Sequence, residues 1–412
     1  MSMPPDAFTA IHQRGARGIP VSRRGASAGL VLRAILHHGP IARSKIARRT
    51  GLSAAAVTGH VAELAGLGLV RELPETAGPR GLGRPHVPIE LDTERQLIGG
   101  VHVGVPAATV ALMNLRGEIV ASERIPHRRP DPLPILEHAA MVLRELLAAC
   151  PGDAVPVGLG VATGGWVDPD SGVLVEHPVL GWRDVPVGRI LTTQTGFPVA
   201  VDAHSRALLG AECLFGRARD QTSVLHLFVG NVVDAAFAID GTVNHGPRSA
   251  AGAIAHLPVE GSDDVCGCGR VGCLQATVSE PTLVRKALRQ GIIREPVFRE
   301  LMRTAENGDP RAKVLFTERA TLVGRAAASM IDMLNPQLTI VADPGLRLFP
   351  ESIALLRAEV RARSQVCGDV ENTVLATTFG GRALAVAACS AMANELFADP
   401  LGTLAMPAPG IL

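Results

Sequence analysis

Three cysteines and one histidine stand close together in the second half of the chain, in a pattern typical of metal ligands. Cys266, Cys268 and Cys273 alternate with glycines, and His256 lies ten positions before the first of them. Three thiols and an imidazole supply the four ligands of a tetrahedral structural Zn²⁺. The intervening glycines let the backbone fold back, so that all three thiols can reach one ion. The sequence therefore predicts a structural zinc site; buried free cysteines beside a loop are the alternative.

The composition predicts a cytoplasmic protein of two or three domains. A length of 412 residues exceeds one ordinary domain, and a hydrophobic content of 47% supports large cores. No apolar run approaches the roughly 20 residues needed to span a bilayer, and residues 1–18 lack the apolar centre of a signal peptide. Seven cysteines, an odd number, suit a reducing compartment in which a metal takes three.

The first ninety residues are basic, although the whole chain carries a net charge of only +1. Twelve Arg and Lys against five Asp and Glu give this part +7 and leave −6 for the remainder. A basic module on an acidic body is typical of a nucleic-acid-binding unit attached to a sensing unit. A basic face that is merely solvated is the alternative.

Three helical segments in this basic region have helix-turn-helix spacing. They are predicted over 26–38, 41–50 and 53–67, and a short glycine-containing turn joins the last two. Ser53 can cap the third helix, in which apolar residues recur at helical spacing as a buried stripe. A strand from Leu69, a glycine-rich tip and a returning strand then predict a wing. We therefore expect a flexible basic tail over 1–21, followed by a winged helix-turn-helix domain over 22–92.

The third helix is the predicted recognition helix, and its exposed start lacks the Arg, Asn and Gln side chains that contact bases in bidentate fashion. Small side chains there can touch thymine methyl groups, while the preceding basic residues contact phosphates and two wing arginines enter a narrow minor groove. For each arginine a solvated helix face is the alternative. The predicted DNA-binding residues are Arg43, Lys45, Arg48, Arg49, Ser53, Ala54, Ala55, Thr58, His60, Arg80 and Arg84.

The segment around the cysteines resembles the zinc signature of the ROK family (repressors, open reading frames and sugar kinases). The resemblance rests on His-x9-Cys-x-Cys-Gly-x-x-Gly-Cys-Leu, preceded by Ala251-Gly252-Ala253-Ile254-Ala255. It implies an α/β protein in which the winged helix precedes a two-lobed, actin-like domain of sugar-kinase type (ribonuclease H-like). That domain, for sensing and oligomerisation, is expected over 97–396, followed by a C-terminal tail over 397–412.

The motifs that handle ATP in the family's kinases are altered here. The first phosphate loop, Asp-x-Gly-Gly-Thr in the kinases, reads His102-Val103-Gly104-Val105-Pro106 and has lost its acid, its hydroxyl and one amide. The second loop reads Gly230-Asn231-Val232-Val233-Asp234-Ala235-Ala236, with branched side chains and a carboxylate where phosphates would lie. The kinase aspartate that acts as general base corresponds to His204. These losses predict that the protein is not an enzyme; a sugar kinase is the less favoured alternative.

The resemblance also implies a sugar pocket, with a changed lining. Ala253 replaces a glutamate of the family pattern, and the glutamate that follows Gly-Cys-Leu is Gln275. By resemblance His256 both ligates zinc and faces the pocket. The expected ligand is a sugar or sugar phosphate, and for His177 and His204 an ordinary interior or surface histidine is the alternative. The nominated pocket residues are Gly165, His177, His204, His256 and Gln275.

Together these features predict a sequence-specific DNA-binding transcription regulator, a repressor of carbohydrate or amino-sugar metabolism genes. Its expected partners are double-stranded operator DNA, a sugar or sugar-phosphate effector and further copies of the chain in a homodimer or homotetramer. A ROK-type regulator that binds no small molecule and is controlled by a protein partner is the alternative.

Overall fold

Helices and strands account for most of the chain that the computed structural model describes, which is residues 22–73, 87–127, 129–150, 154–239 and 241–405. The helices are α1 (Arg23–His38), α2 (Arg43–Thr50), α3 (Ala54–Gly66), α4 (Pro132–Ala149), α5 (Val187–Thr195), α6 (His204–Phe215), α7 (Leu274–Val278), α8 (Glu280–Arg289), α9 (Phe298–Glu306), α10 (Pro310–Leu334), α11 (Pro344–Leu348), α12 (Pro350–Arg363), α13 (Val370–Thr373), α14 (Ala383–Ala398) and α15 (Pro400–Ala405). The strands are β1 (Ile41–Ala42), β2 (Val70–Glu72), β3 (Pro88–Leu91), β4 (Gln96–Val103), β5 (Ala107–Asn114), β6 (Ile119–Pro126), β7 (Val155–Thr163), β8 (Trp166–Asp168), β9 (Val173–His177), β10 (Trp182–Val185), β11 (Val199–Ala203), β12 (Val224–Val229), β13 (Val233–Ile239), β14 (Thr242–Val243), β15 (Leu338–Ala342) and β16 (Val374–Ala376).

The N-terminal unit is a three-helix domain with a small antiparallel sheet in the order β1-β3-β2. Ser53 caps α3 as expected, because its hydroxyl accepts a hydrogen bond from the Ala56 amide at 3.2 Å. The second helix begins two residues later than predicted: Ile41 and Ala42 pair with β3, where the buried Ile41 faces Ile89. The predicted tail over 1–21 and the tip of the wing lie outside the described residues.

The first lobe of the body, here called lobe 1, is a five-stranded sheet in the order β11-β7-β4-β5-β6. Strands β4, β7 and β11 are parallel and almost wholly buried, because α4 and α5 pack near one face and α14 lies on the other. Glycines in the sheet allow α14 to approach closely: a Cβ on Gly160 would lie 2.2 Å from the Ala388 carbonyl oxygen. A small sheet, β10-β9-β8, completes this lobe.

The second lobe, lobe 2, is a five-stranded sheet in the order β14-β13-β12-β15-β16, with α7–α13 around it. The long helix α10 begins at Pro310, where the Asp309 side chain caps it. Helix α6 packs on β12 and β13 of lobe 2 and on α14, so it connects the two lobes. The predicted α/β class with two lobes behind a winged helix is confirmed.

The C-terminal tail begins later than predicted. We placed its start at residue 397, but α14 continues to Ala398 and α15 follows. The side chain of Phe397 is fully buried and lies edge-on to Phe215, with ring centroids 5.9 Å apart. Apolar burial therefore holds this segment against the body. None of the helices in the described part of the chain is both long and apolar enough to cross a membrane.

Candidate metal centre, interlobe cleft and DNA-binding surface

The four predicted metal ligands are brought together at one edge of lobe 2. One ligand atom each from His256, Cys266, Cys268 and Cys273 lies within 4.8 Å of the other three. A tight turn places them, in which the Cys266 amide donates to the Arg270 carbonyl and the Gly269 amide to the Cys266 carbonyl. The Cys273 carbonyl then accepts the Thr277 amide in α7, which fixes the last thiol at the start of that helix.

The ligand distances fit a tetrahedral ion. Zinc–sulfur bonds of about 2.3 Å and zinc–nitrogen bonds of about 2.0–2.1 Å at tetrahedral angles place two sulfurs about 3.8 Å apart and sulfur and nitrogen about 3.6 Å apart. The Cys268 and Cys273 sulfurs are 3.7 Å apart, and the Cys266 sulfur is 3.6 Å from Nδ1 of His256. Within the described residues this is the one His, Cys, Asp and Glu cluster with such spacing.

The chemistry of the donors also suits a metal. Hydrogen bonds from Arg270, first from its backbone and then from its side chain, lower the pKa of the exposed Cys268 thiol to about 6. Cys268 is thus a thiolate at neutral pH, which is the form that coordinates metal. Burial raises the pKa of Cys273 to about 11, so its thiol needs a bound cation to lose its proton near neutral pH.

His204 is buried between the two lobes, at the first turn of α6. Its Nε2 lies 2.9 Å from Oδ2 of Asp234 on β13, and its Nδ1 lies 3.4 Å from Nε2 of His102 on β4. The two imidazoles are parallel, with centroids 5.6 Å apart, and the ring of Phe228 is 3.8 Å from that of His204. His204 is only 3% exposed, because Asp234, His102 and Phe228 cover its ring.

The two loops that correspond to the phosphate loops of the kinases contact each other directly. Asn231, in the β12–β13 turn, donates from Nδ2 to the Val105 carbonyl of lobe 1 at 2.7 Å and to Glu280 at 2.9 Å. Gln275 fixes this turn from below, accepting from the Val233 amide at 2.7 Å and donating to the Asn231 carbonyl at 2.6 Å. The Val233 amide and the side chains of Asn231 and Gln275 are therefore already hydrogen-bonded within the protein.

The remaining nominated pocket residues make structural contacts. His177 is buried, and its Nδ1 accepts from the amides of Val179 and Leu180 in the turn before β10. Gly165 has a φ of 85°, and a Cβ there would lie 2.3 Å from the Glu176 carbonyl oxygen. Gly165, His177 and His204 thus lie close to one another between the lobes. Gln275, in contrast, holds the β12–β13 turn, and His256 belongs to the metal centre.

The exposed cations on α2 form the clearest candidate surface for DNA phosphates. Lys45, Arg48 and Arg49 are exposed and extend from one side of the helix-turn-helix. Arg43 instead pairs with Glu72 on β2, which ties α2 to the wing. Arg80 and Arg84 lie outside the described residues.

The recognition helix α3 presents a smooth face. Ala54, Ala55 and Thr58 are exposed, and the Thr58 hydroxyl is bonded to the Ala54 carbonyl at 2.8 Å. His60 is mostly buried, with Nδ1 3.1 Å from Glu63. Small groups rather than long polar side chains thus face outward at the start of α3, and modest direct base recognition stays a prediction.

The DNA-binding unit is docked on the body through α1. Nη1 of the buried Arg33 donates to the Phe397 carbonyl at 2.6 Å, and Nε2 of His37 lies 3.0 Å from the Leu214 carbonyl at the end of α6. Gly29 allows the close approach, since a Cβ there would lie 2.5 Å from the Ala398 carbonyl oxygen. Apolar residues of both units form one continuous core.

Several of these residues escaped the sequence analysis because their partners are distant in the chain. In the sequence, Asp234, Asn231 and Arg33 look like ordinary strand, turn and helix residues. Only the folded structure brings them next to His204, Val105 and Phe397. The one available signal was that Asp234 and Asn231 stand in the altered phosphate loop. The metal ligands, in contrast, lie within eighteen residues of one another and form a local pattern.

A winged helix docked on a two-lobed α/β body with a Cys₃His centre defines a protein with a DNA-binding unit and a sugar-kinase-like unit. A model of the ROK family matches residues 98–383, and a model of the MarR family matches residues 23–78. The first match covers well over half of the chain, and the protein belongs to the ROK family.

Relatives of similar length include "Transcriptional regulator Rv0485" of Mycobacterium tuberculosis, which is 33% identical over 393 residues covering 92% of this chain and 87% of that protein. The "DNA-binding transcriptional repressor Mlc" of Escherichia coli is 28% identical over 329 residues, covering 77% and 80%. Among solved structures, a ROK family transcriptional regulator described as a homolog of the E. coli MLC protein has a TM-score of 0.75 at 21% identity, covering 93% of this chain and 98% of that one. A ROK family glucokinase from Streptomyces griseus has a TM-score of 0.59 at 22% identity, covering 71% and 98%.

Proposed function

We propose that this protein is a sequence-specific DNA-binding transcription regulator, and specifically a repressor. The observation that carries the proposal is the direct docking of a winged helix, with exposed cations on α2, onto a sugar-kinase-like body. The relatives named as regulators and as a repressor support it. A second half-site contacted by a second copy would compensate for the modest direct recognition by α3, so we propose a homodimer or homotetramer.

The test is fluorescence anisotropy of the purified protein on a labelled fragment of its own promoter, against an unrelated fragment of equal length. We expect tighter binding to the promoter fragment and an affinity that falls steeply with salt. Equal affinity for the two fragments at every salt concentration would contradict sequence-specific regulation.

The metal centre is proposed to hold zinc in a structural role. His256, Cys266, Cys268 and Cys273 would all coordinate the ion, which leaves no position open for substrate. A bound zinc would neutralise the thiolates and fix the loop that leads into α7. Because α7 carries Gln275, the metal would also stabilise the β12–β13 turn in the cleft.

The body is proposed to have no kinase activity. By the family pattern the position of the kinase base is taken by His204, which is buried and lies 2.9 Å from Asp234. In the altered second loop, Asn231 is hydrogen-bonded to Val105 and Glu280 and held by Gln275. A coupled ATPase assay with hexoses and amino sugars tests this; turnover above that of a preparation lacking the protein would contradict it.

The small-molecule effector is proposed to be a sugar or sugar phosphate that enters the cleft beside Gly165, His177 and His204. Addition of sugars, amino sugars and their phosphates to the promoter complex should release the DNA with one class of compound. The structural contacts of His177 and Gln275 favour a second candidate, a regulator with no small-molecule effector. A promoter complex that no compound alters would support that candidate, and a protein partner would then be sought.

A further inference from the structure

The two lobes meet at a partly exposed contact between Trp166 and Arg248. Trp166, on β8 of lobe 1, donates from Nε1 to the Arg248 carbonyl of lobe 2 at 2.7 Å. The Arg248 guanidinium also lies over the indole ring, 5.4 Å from its centroid, in the range of a cation–π contact. The contact joins residues 82 positions apart; the Arg248 side chain is exposed and that of Trp166 is half-buried.

The backbone on the lobe 2 side is in an uncommon conformation. Arg248 and Ser249 have φ values of 56° and 55°, a left-handed region that residues with a Cβ rarely adopt, least of all in succession. Such conformations persist where surrounding contacts impose them, and they cluster at switch regions and ligand clamps.

A buried arginine holds both sides of this contact from beneath. Arg206, in the first turn of α6, is 3% exposed; it donates from Nη2 to the Val167 carbonyl and from Nη1 to the Ser249 carbonyl, each at 3.0 Å. Val167 follows Trp166, and Ser249 follows Arg248. An ion pair from Arg206 Nε to Asp202 at 2.6 Å fixes the guanidinium.

The same helix reaches the DNA-binding unit at its other end. Helix α6 has twelve residues, about 18 Å at 1.5 Å per residue, and the Leu214 carbonyl near its C-terminus contacts His37 of α1. Separation of Trp166 from Arg248 would remove or move one of the two backbone groups that Arg206 binds. If α6 then moves, the contact between the Leu214 carbonyl and His37 would transmit the displacement to α1.

We propose that Trp166 and Arg248 form a gate between the lobes and that Arg206 couples the state of this gate, through α6, to the DNA-binding unit. Trp166 and Arg248 make the contact itself, whereas Arg206 positions the backbone on both sides of it. The inference rests on the proposed function, because it supplies the route by which the cleft would control DNA binding. Because coupling between two sites is reciprocal, DNA binding must also shift the gate.

The chain contains a matched control for the gate. It has two tryptophans, and Trp182, which is buried, also donates its Nε1 to a backbone carbonyl, that of Pro130 within lobe 1. Trp166→Phe and Arg248→Ala are expected to change the affinity for the promoter fragment at least fivefold relative to wild type, whereas Trp182→Phe changes it less than twofold. The direction reports which state of the gate binds DNA.

A second readout uses the Trp182→Phe protein, in which Trp166 is the only tryptophan. Saturation with the promoter fragment should change the emission and the acrylamide quenching of Trp166. If the fragment binds but leaves both unchanged, and the gate variants bind it like the control, the gate proposal is overturned while the proposed function stands.

If the protein binds no promoter DNA, the proposed function is contradicted but the gate is not. Hydrogen–deuterium exchange then tests the gate without DNA. Arg248→Ala should then accelerate exchange of the amides in α1 and at the end of α6, but not in α9. Unchanged exchange at α1 and α6 would overturn the gate proposal.

Discussion

At the scale of single residues, buried histidines are the most unusual feature of the body. His226 on β12 is fully buried, and neither ring nitrogen has a hydrogen-bond partner in the described residues. Unpaired buried polar groups cost about 1–3 kcal/mol, and Leu fills a similar volume without that cost. His226→Leu should therefore raise the free energy of unfolding by about 1 kcal/mol in urea denaturation. A loss of stability would indicate an unseen partner such as a buried water.

Buried histidines also make stability depend on pH. Burial lowers the pKa of His37 to about 4, of His177 to about 4 and of His226 to about 3. Because these values lie below the ordinary value of about 6.5, the unfolded chain binds protons first as the pH falls. The contribution of these histidines to stability should be constant above about pH 7 and fall by a few kcal/mol between pH 6.5 and 4. Urea denaturation with a chelator present, which excludes metal release, measures it, and His226→Leu should flatten the curve.

At the scale of elements, the surface of α2 and the interior of β7 can be tested separately. Lys45→Ala or Arg48→Ala should weaken binding to every DNA sequence and reduce the slope of log affinity against log salt by about 1 each. Arg299→Ala, an equally exposed arginine on α9, is the control and should leave the slope unchanged. Slopes equal to the wild type in all three would remove α2 from the phosphate-binding surface.

The close packing of α14 on lobe 1 depends on strand glycines. Gly160→Ala should destabilise the protein by about 3 kcal/mol or more in thermal unfolding, because the new Cβ would meet the Ala388 carbonyl. Gly59→Ala on α3 meets no atom within 4 Å and should stabilise the protein by about 0.5–1 kcal/mol. Similar effects of the two changes would mean that α14 is free to move away from the sheet.

The elements show which features a sequence can predict. The helix-turn-helix and the metal ligands are local patterns, and the third helix was predicted to within one residue at each end. The C-terminal boundary was wrong because the burial of Phe397 depends on α1 and α6, far away in the chain. For the same reason neither the partner of His204 nor the contacts of Arg206 could be predicted, since each joins strands and turns of different lobes.

At the scale of the whole molecule, the metal centre and the cleft are connected through α7. Cys266→Ser should abolish bound zinc measured by elemental analysis and lower the melting temperature. Cys150→Ser, which alters a half-buried cysteine outside the cluster, should leave the zinc content unchanged. Full zinc content in Cys266→Ser would contradict the assigned ligand set.

The contact between α1 and the end of α14 joins the two ends of the described chain, and this affects the order of synthesis. The ribosome releases the DNA-binding unit first, but the segment that anchors Arg33 and packs against α1 is made only after both lobes of the body. Until translation passes residue 397, the DNA-binding unit lacks the segment to which Arg33 binds. A chain that stops before residue 397 would therefore keep its DNA-binding unit joined to the body but would lack the Arg33 contact that docks it.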